Sequence, residues 1–161
     1  MGSGPKPPPL QHPPHCGCAT HAPANASVMQ TLDEMAFERS AHAASVAGNR
    51  AKLSKLIVAN PSCANAFDAA GYTPLHYASR HGRIECVALL LDAGASIDTP
   101  TRGLGTTALM RAIAGNHVDV ARLLVARGAD PDITDSEGRT ARHFVDASPE
   151  AADSFSCMHL K

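Results

Sequence analysis

The chain has 161 residues, with 14 Lys plus Arg against 15 Asp plus Glu and a formal net charge of −1. That length suits one domain of ordinary size with a tail, and the near-neutral charge offers no electrostatic basis for holding nucleic acid or an anionic membrane. Trp is absent and aromatic residues make up only 4%, which argues against base stacking, and no stretch approaches the roughly 18 consecutive apolar residues of a membrane span.

Residues 1–26 read as a disordered tail. Pro5, Pro7, Pro8, Pro9, Pro13, Pro14 and Pro23 exclude a helix there, and little in the segment can build a core. It has no apolar signal core, and the five cysteines are an odd number, so reduced thiols and a cytoplasmic or nuclear location are expected. Within the tail, His12, His15, Cys16, Cys18 and His21 place zinc-type ligands in ten residues. Cys16-x-Cys18 is tighter than the spacing of structural zinc knuckles, and no second ligand pair follows. No cofactor is therefore expected, with zinc held at this cluster as the alternative.

Ser27 with Gln30 and Thr31 with Glu34 both form capping-box patterns, so a short helix begins near residue 27. Val28, Leu32, Met35 and Phe37 give it an apolar side, which suits a lid on the first end of the domain. The alternative is that residues 30–39 form a docking helix of a larger assembly.

From residue 37 the chain repeats itself. Gly71, Gly105 and Gly138 are spaced by 34 and 33 residues, and the same offsets align Thr73, Thr107 and Thr140, and Gly94 with Gly128. Thr73-Pro74 is a helix start, Gly82 allows a sharp reversal, and Gly94 is a helix stop. Leu75 and Ala78, then Ile84, Val87, Leu90 and Leu91, supply two apolar stripes at helical spacing. Helices this short cannot bury those stripes alone, so the period predicts a stack of about four helix-turn-helix units: residues 37–70, 71–104, 105–137 and 138–161. The extra residue in the first spacing falls within PTRGLG, a turn sequence.

GYTPLHYA at residues 71–78, Gly82, and the endings LLLDAGASID and LLVARGADPD resemble the ankyrin repeat closely. QTLDEMAFER at residues 30–39 and the Cys/His leader narrow the likeness to one branch of that family. The resemblance implies an all-α solenoid of antiparallel helix pairs joined by β-hairpin-like fingers. It also implies a non-catalytic adaptor or scaffold that binds another protein on a concave face, and a chain that is monomeric alone. The likeness is weaker in unit one, which has SAHAA, and in unit four, which has TARH. There Arg142 replaces Leu75 and Leu109. A charge is costly inside a stack, so unit four is expected to be a terminal cap with that position facing solvent and a polar second helix near residues 150–160.

No enzyme site is legible. His76 lies three residues after the cap Thr73, where an imidazole can bond the threonine and the turn backbone, and His42 and His143 hold the matching places. A general base would need a nucleophile and an orienting carboxylate within reach, and none is suggested. Cys86 reads as a core residue and Cys63 as a loop residue.

What remains is a recognition surface, and the family resemblance places it on the finger tips and the inner face of the first helices. By register those positions include Tyr72, Arg80 and His81 in unit two, Arg102, Leu104 and Thr106 in unit three, and Glu137 and Arg139 in unit four. Tyr72, Arg80 and Leu104 are the expected anchors, since Tyr and Arg are enriched at hot spots and an exposed Leu can fill a pocket. Arg80, Arg102 and Arg139 make a weakly basic strip, which favours an acidic partner.

Overall fold

A computed structural model describes residues 40–147. The tail, the helix near residue 27, the alternative docking helix at 30–39, the five-ligand cluster and the second helix of unit four all lie outside the described residues. Within them are seven α-helices: α1 (Ala41–Ala47), α2 (Arg50–Ala59), α3 (Pro74–Arg80), α4 (Ile84–Asp92), α5 (Ala108–Ala114), α6 (Val118–Ala126) and α7 (Ala141–Asp146). Cys63, expected in a loop, sits in a one-turn 3₁₀ helix, Pro61–Asn65, after α2.

Most of the helices start where the sequence supplies a cap, the exceptions being α4 and α6, which follow Arg83 and His117 without a side-chain cap. Ser40 accepts from the Ala43 N–H, Asn49 from Lys52, and Thr107 from Met110, while Pro74 takes the first position of α3. Helices of six to ten residues are marginal alone, so their stability comes from packing. The first helices stack in the order α1, α3, α5, α7, and the second helices in the order α2, α4, α6. Leu53, Leu75, Val87, Leu90, Leu109, Ile113, Val120 and Leu124 are fully buried between the layers, and Ala44, Ala78, Ala112 and Ala121 let the helices approach closely. Arg142, in the register of Leu75 and Leu109, is exposed, as a charge at that position requires.

Polar bonds tie each unit to the next. His76 Nδ1 accepts from the Thr73 N–H at 3.1 Å, which leaves the proton on Nε2 to be donated to the Thr106 carbonyl of unit three at 3.1 Å. His42 spans the junction before it, donating from Nε2 to Ala66 O and lying 3.2 Å from Tyr72 O. Unit three carries Met110 in this place, fully buried, and so lacks an imidazole bridge to unit four. By the turn between the helices, Arg83 donates to Val46 O and His117 to Arg80 O, a second ladder at the 34-residue period.

The fingers contain no strand among the described residues. Each is a turn closed by a backbone pair, Asp68 N–H to Tyr72 O, Thr101 N–H to Thr106 O, and Asp135 N–H to Arg139 O. The extra residue between Asp98 and Gly105 lies in the finger closed by Thr101 and Thr106. Neighbouring fingers are joined by Arg102 N–H to Gly71 O at 3.1 Å and Ser136 N–H to Leu104 O at 3.0 Å.

Two buried side-chain atoms among the described residues lack a partner, Ser79 Oγ and Arg111 Nε. Ser45 donates to Ala41 O at 2.8 Å, but Ser79, one period later, is fully buried with its hydroxyl unpartnered. An unpaired buried hydroxyl carries its desolvation cost, so Ser79→Ala is expected to raise stability by about 1 kcal/mol in urea unfolding. A lowered midpoint would show that the hydroxyl is satisfied in solution.

Candidate binding surface

Tyr72 is the centre of a connected cluster on the finger side of the first helices. Asp68, three residues before the finger glycine, accepts the Tyr72 N–H on Oδ1 at 2.8 Å and the Tyr77 hydroxyl on Oδ2 at 2.7 Å. Burial pushes the Asp68 carboxyl up, but the bonds from the Tyr72 backbone and Tyr77 hydroxyl, with His42 nearby, outweigh it and hold the group below the usual carboxylate range. Burial and the bonded carboxylate raise the Tyr77 phenol to about 12, so it stays protonated and donating.

The two tyrosine rings lie 5.6 Å apart between centroids, and His42 meets Tyr77 edge-on at 6.0 Å. Across the junction, Arg111 Nη2 donates to the Tyr72 hydroxyl at 2.7 Å while its guanidinium covers the Tyr72 ring at 4.8 Å. Arg102 lies over the Phe67 ring at 4.4 Å. In unit four, Arg139 covers Phe144 at 5.1 Å and makes ion pairs of 2.9 Å with both Asp135 and Glu137. Burial raises the Asp135 carboxyl, and the hydrogen bonds from the Arg139 backbone and side chain more than reverse that.

The sequence-expected positions divide clearly. Tyr72 and Arg139 are half-buried, and Arg80, His81, Arg102, Leu104 and Glu137 are exposed, with Leu104 at 45% a large apolar side chain in the open. Burial, helped by the nearby charges of Arg80 and Arg83, keeps His81 below the ordinary imidazole range. Thr106 needs correction. It is only 4% exposed, and its hydroxyl lies 3.0 Å from that of Thr101 inside the finger, so it shapes the turn and offers no contact surface.

Asp68, Tyr77, Arg111 and Phe67 were not singled out from sequence, although two signals pointed to them. Tyr77 and Arg111 share one register position, 34 residues apart, with Phe144 a further 33 on, so that column carries only large side chains from unit two onward. Asp68 and Asp135 each stand three residues before a finger glycine.

The other singled-out histidines and cysteines among the described residues are taken up by structure or burial. His76 is only 2% exposed and spends both ring nitrogens on structure, and His143 Nδ1 takes the Thr140 N–H at 3.1 Å. Cys86 is buried, and burial first of all raises its thiol above the ordinary value. Among the described residues no three His, Cys, Asp or Glu side chains gather as a metal site.

The architecture has known counterparts. A family model described as ankyrin repeats (3 copies) matches residues 22–101 and 40–135. The human protein "Ankyrin repeat domain-containing protein 39" is 42% identical over 86 residues, covering 52% of this chain and 45% of that protein. "Ankyrin repeat and SAM domain-containing protein 6" of Danio rerio is 48% identical over 64 residues, covering 40% of this chain and 9% of that protein. "Inversin" of Gallus gallus is 36% identical over 104 residues, covering 65% and 9% respectively. The chain thus spans less than half the length of these curated relatives. The cap-and-histidine helix starts, the stacked helix pairs, the linked fingers and the matching family model together make this chain a member of the ankyrin repeat family.

Proposed function

We propose that the chain is a non-catalytic adaptor or scaffold, monomeric alone and working in the cytoplasm or nucleus. In this reading it holds another protein on the finger-side face of its first helices. Ankyrin repeats are in general protein–protein interaction modules. The observation that carries the reading for this chain is the Asp68–Tyr72–Tyr77–Arg111 network. Asp68 is bonded to the Tyr77 hydroxyl and the Tyr72 backbone N–H, and Arg111 to the Tyr72 hydroxyl, all at 2.7 to 2.8 Å, and Leu104 is exposed on the neighbouring finger. Groups held this way lose little conformational freedom when a partner arrives.

The test uses a partner isolated by affinity purification of the tagged full chain and then purified. Replacing Arg80 and Leu104 by Ala changes exposed side chains only, so it should weaken that partner's binding at least tenfold in titration calorimetry with thermal unfolding unchanged. Tyr72 is better changed to Phe than to Ala in this set, because truncation would also strip the ring from under Arg111. Unaltered affinity in the triple variant would remove this face from consideration.

A further inference from the structure

Two arginines lie on aromatic rings about one period earlier in the chain, Arg102 on Phe67 of the neighbouring finger and Arg111 on Tyr72. Stacking occupies the flat face of a guanidinium and leaves its in-plane N–H edge, the edge that fits a carboxylate fork. Those edges are only partly spent. Arg111 uses Nη2 on the Tyr72 hydroxyl, while its Nε is buried with no acceptor. The Tyr72 oxygen, already accepting from Arg111, has a proton of its own to give.

Among the described residues the Arg102 side chain forms no hydrogen bond or ion pair, and its backbone N–H is anchored on Gly71 O, next to Tyr72. Asp68, the carboxylate in this cluster, has both oxygens engaged by the two tyrosines. Arg139 differs because Asp135 and Glu137 already neutralise it. The basic strip expected from sequence therefore loses Arg139 and gains Arg111, and among the described residues Arg102 and Arg111 stand at one junction without an ion-pair partner.

We propose that the junction of units two and three, at Tyr72, Arg102 and Arg111, is a carboxylate-recognition site that selects acidic segments of a partner protein. One carboxylate of the segment accepts from Arg111 and the Tyr72 hydroxyl, and a second takes the in-plane edge of Arg102. This rests on the reading of the finger-side face as the binding surface. The aromatic rings hold the two cations in place, so the site needs a short run with at least two carboxylates and no particular fold.

The chain supplies its own reporter, because it has two Tyr and no Trp, and both tyrosines belong to the cluster. The full chain is titrated, with tyrosine emission as readout, against a tyrosine-free Gly/Ser peptide carrying two Glu residues. Its Gln counterpart and its phosphoserine counterpart serve as comparisons. The Glu peptide should give a saturable change that weakens as salt rises from about 0.05 to about 0.5 M. The Gln peptide should bind at least tenfold more weakly, and Arg102→Gln and Arg111→Gln should each weaken the Glu peptide about tenfold. Arg102→Gln touches an exposed side chain and keeps the test valid if Arg111→Gln lowers stability.

Equal response to Glu and Gln peptides overturns the site, and a preference above tenfold for phosphoserine reassigns it to phosphate. Selection of displayed random peptides on the same chain then separates the two levels. Acid-rich winners that need Arg102 and Arg111 support the carboxylate site. Neutral winners that need Leu104 and Arg80 keep the binding face and overturn the carboxylate site. Winners indifferent to all four overturn both.

Discussion

Between pH 6.5 and about pH 4 the folded chain is expected to lose about 3 kcal/mol of stability through one imidazole, His76. Burial, opposed by the Thr106 carbonyl and reinforced by the positive charge of Arg111, lowers this group from 6.5 to about 4 in the folded chain. Its Nδ1 faces the Thr73 N–H, so a second proton there would set donor against donor as well as bury a charge. The unfolded chain takes up the proton near 6.5 and the folded chain only near 4. In that window the unfolded state binds more protons, and stability falls with pH. The contribution is fully present above pH 6.5 and gone below about 4.

Urea unfolding of wild type and His76→Leu at several pH values isolates this contribution from that of the other histidines. At pH 7 the substitution leaves the Thr73 N–H and Thr106 O unpaired and costs about 2–4 kcal/mol. That gap should close by about 3 kcal/mol on the way to pH 4. A gap independent of pH would mean that His76 titrates normally in the folded chain.

The parts of the fold that were legible in the sequence are those where one residue answers one local demand. Thr73, Pro74 and His76 cap a helix within four residues, and the 34-residue period follows because every unit must bury the same two stripes against its neighbour. Chain-local reasoning failed where a contact runs diagonally. Tyr72 and Arg111 are 39 residues apart, five more than the period, so aligning the repeats places them in different columns. Arg139 was misjudged for the opposite reason. Its neutralising carboxylates, Asp135 and Glu137, are four and two residues away, but sorting positions by expected exposure does not reveal pairing. Thr106 shares the glycine-plus-one register of Tyr72 and Arg139, and its N–H is bonded by Thr101 as theirs are by Asp68 and Asp135. Its short hydroxyl side chain, however, lies against the Thr101 hydroxyl inside the finger, where the long side chains of Tyr72 and Arg139 stay half-exposed.

Replacing Gly71 by Ala should cost about 2–4 kcal/mol and disturb recognition as well as stability. Its φ of +80° lies in the left-handed region, where an L side chain costs about 1–2 kcal/mol. An added Cβ would also lie 2.7 Å from Arg102 Cβ and 3.3 Å from its backbone nitrogen, the atom that donates to Gly71 O. Arg102 Cβ is fixed to the finger backbone and cannot swing aside as a side-chain tip would, so the two fingers must part and Arg102 must shift on Phe67. Gly94 is the natural control. Its φ of +83° is nearly the same, but nothing lies within 4 Å of its added Cβ, so Gly94→Ala should cost about 1–2 kcal/mol from backbone strain alone. The difference between the two variants measures the close approach of neighbouring fingers. Only Gly71→Ala should weaken the acidic peptide, because only that position is coupled to Arg102. Equal destabilisation by the two substitutions, with peptide affinity unchanged in both, would show that the fingers accommodate the methyl group and that the placement of Arg102 does not depend on Gly71.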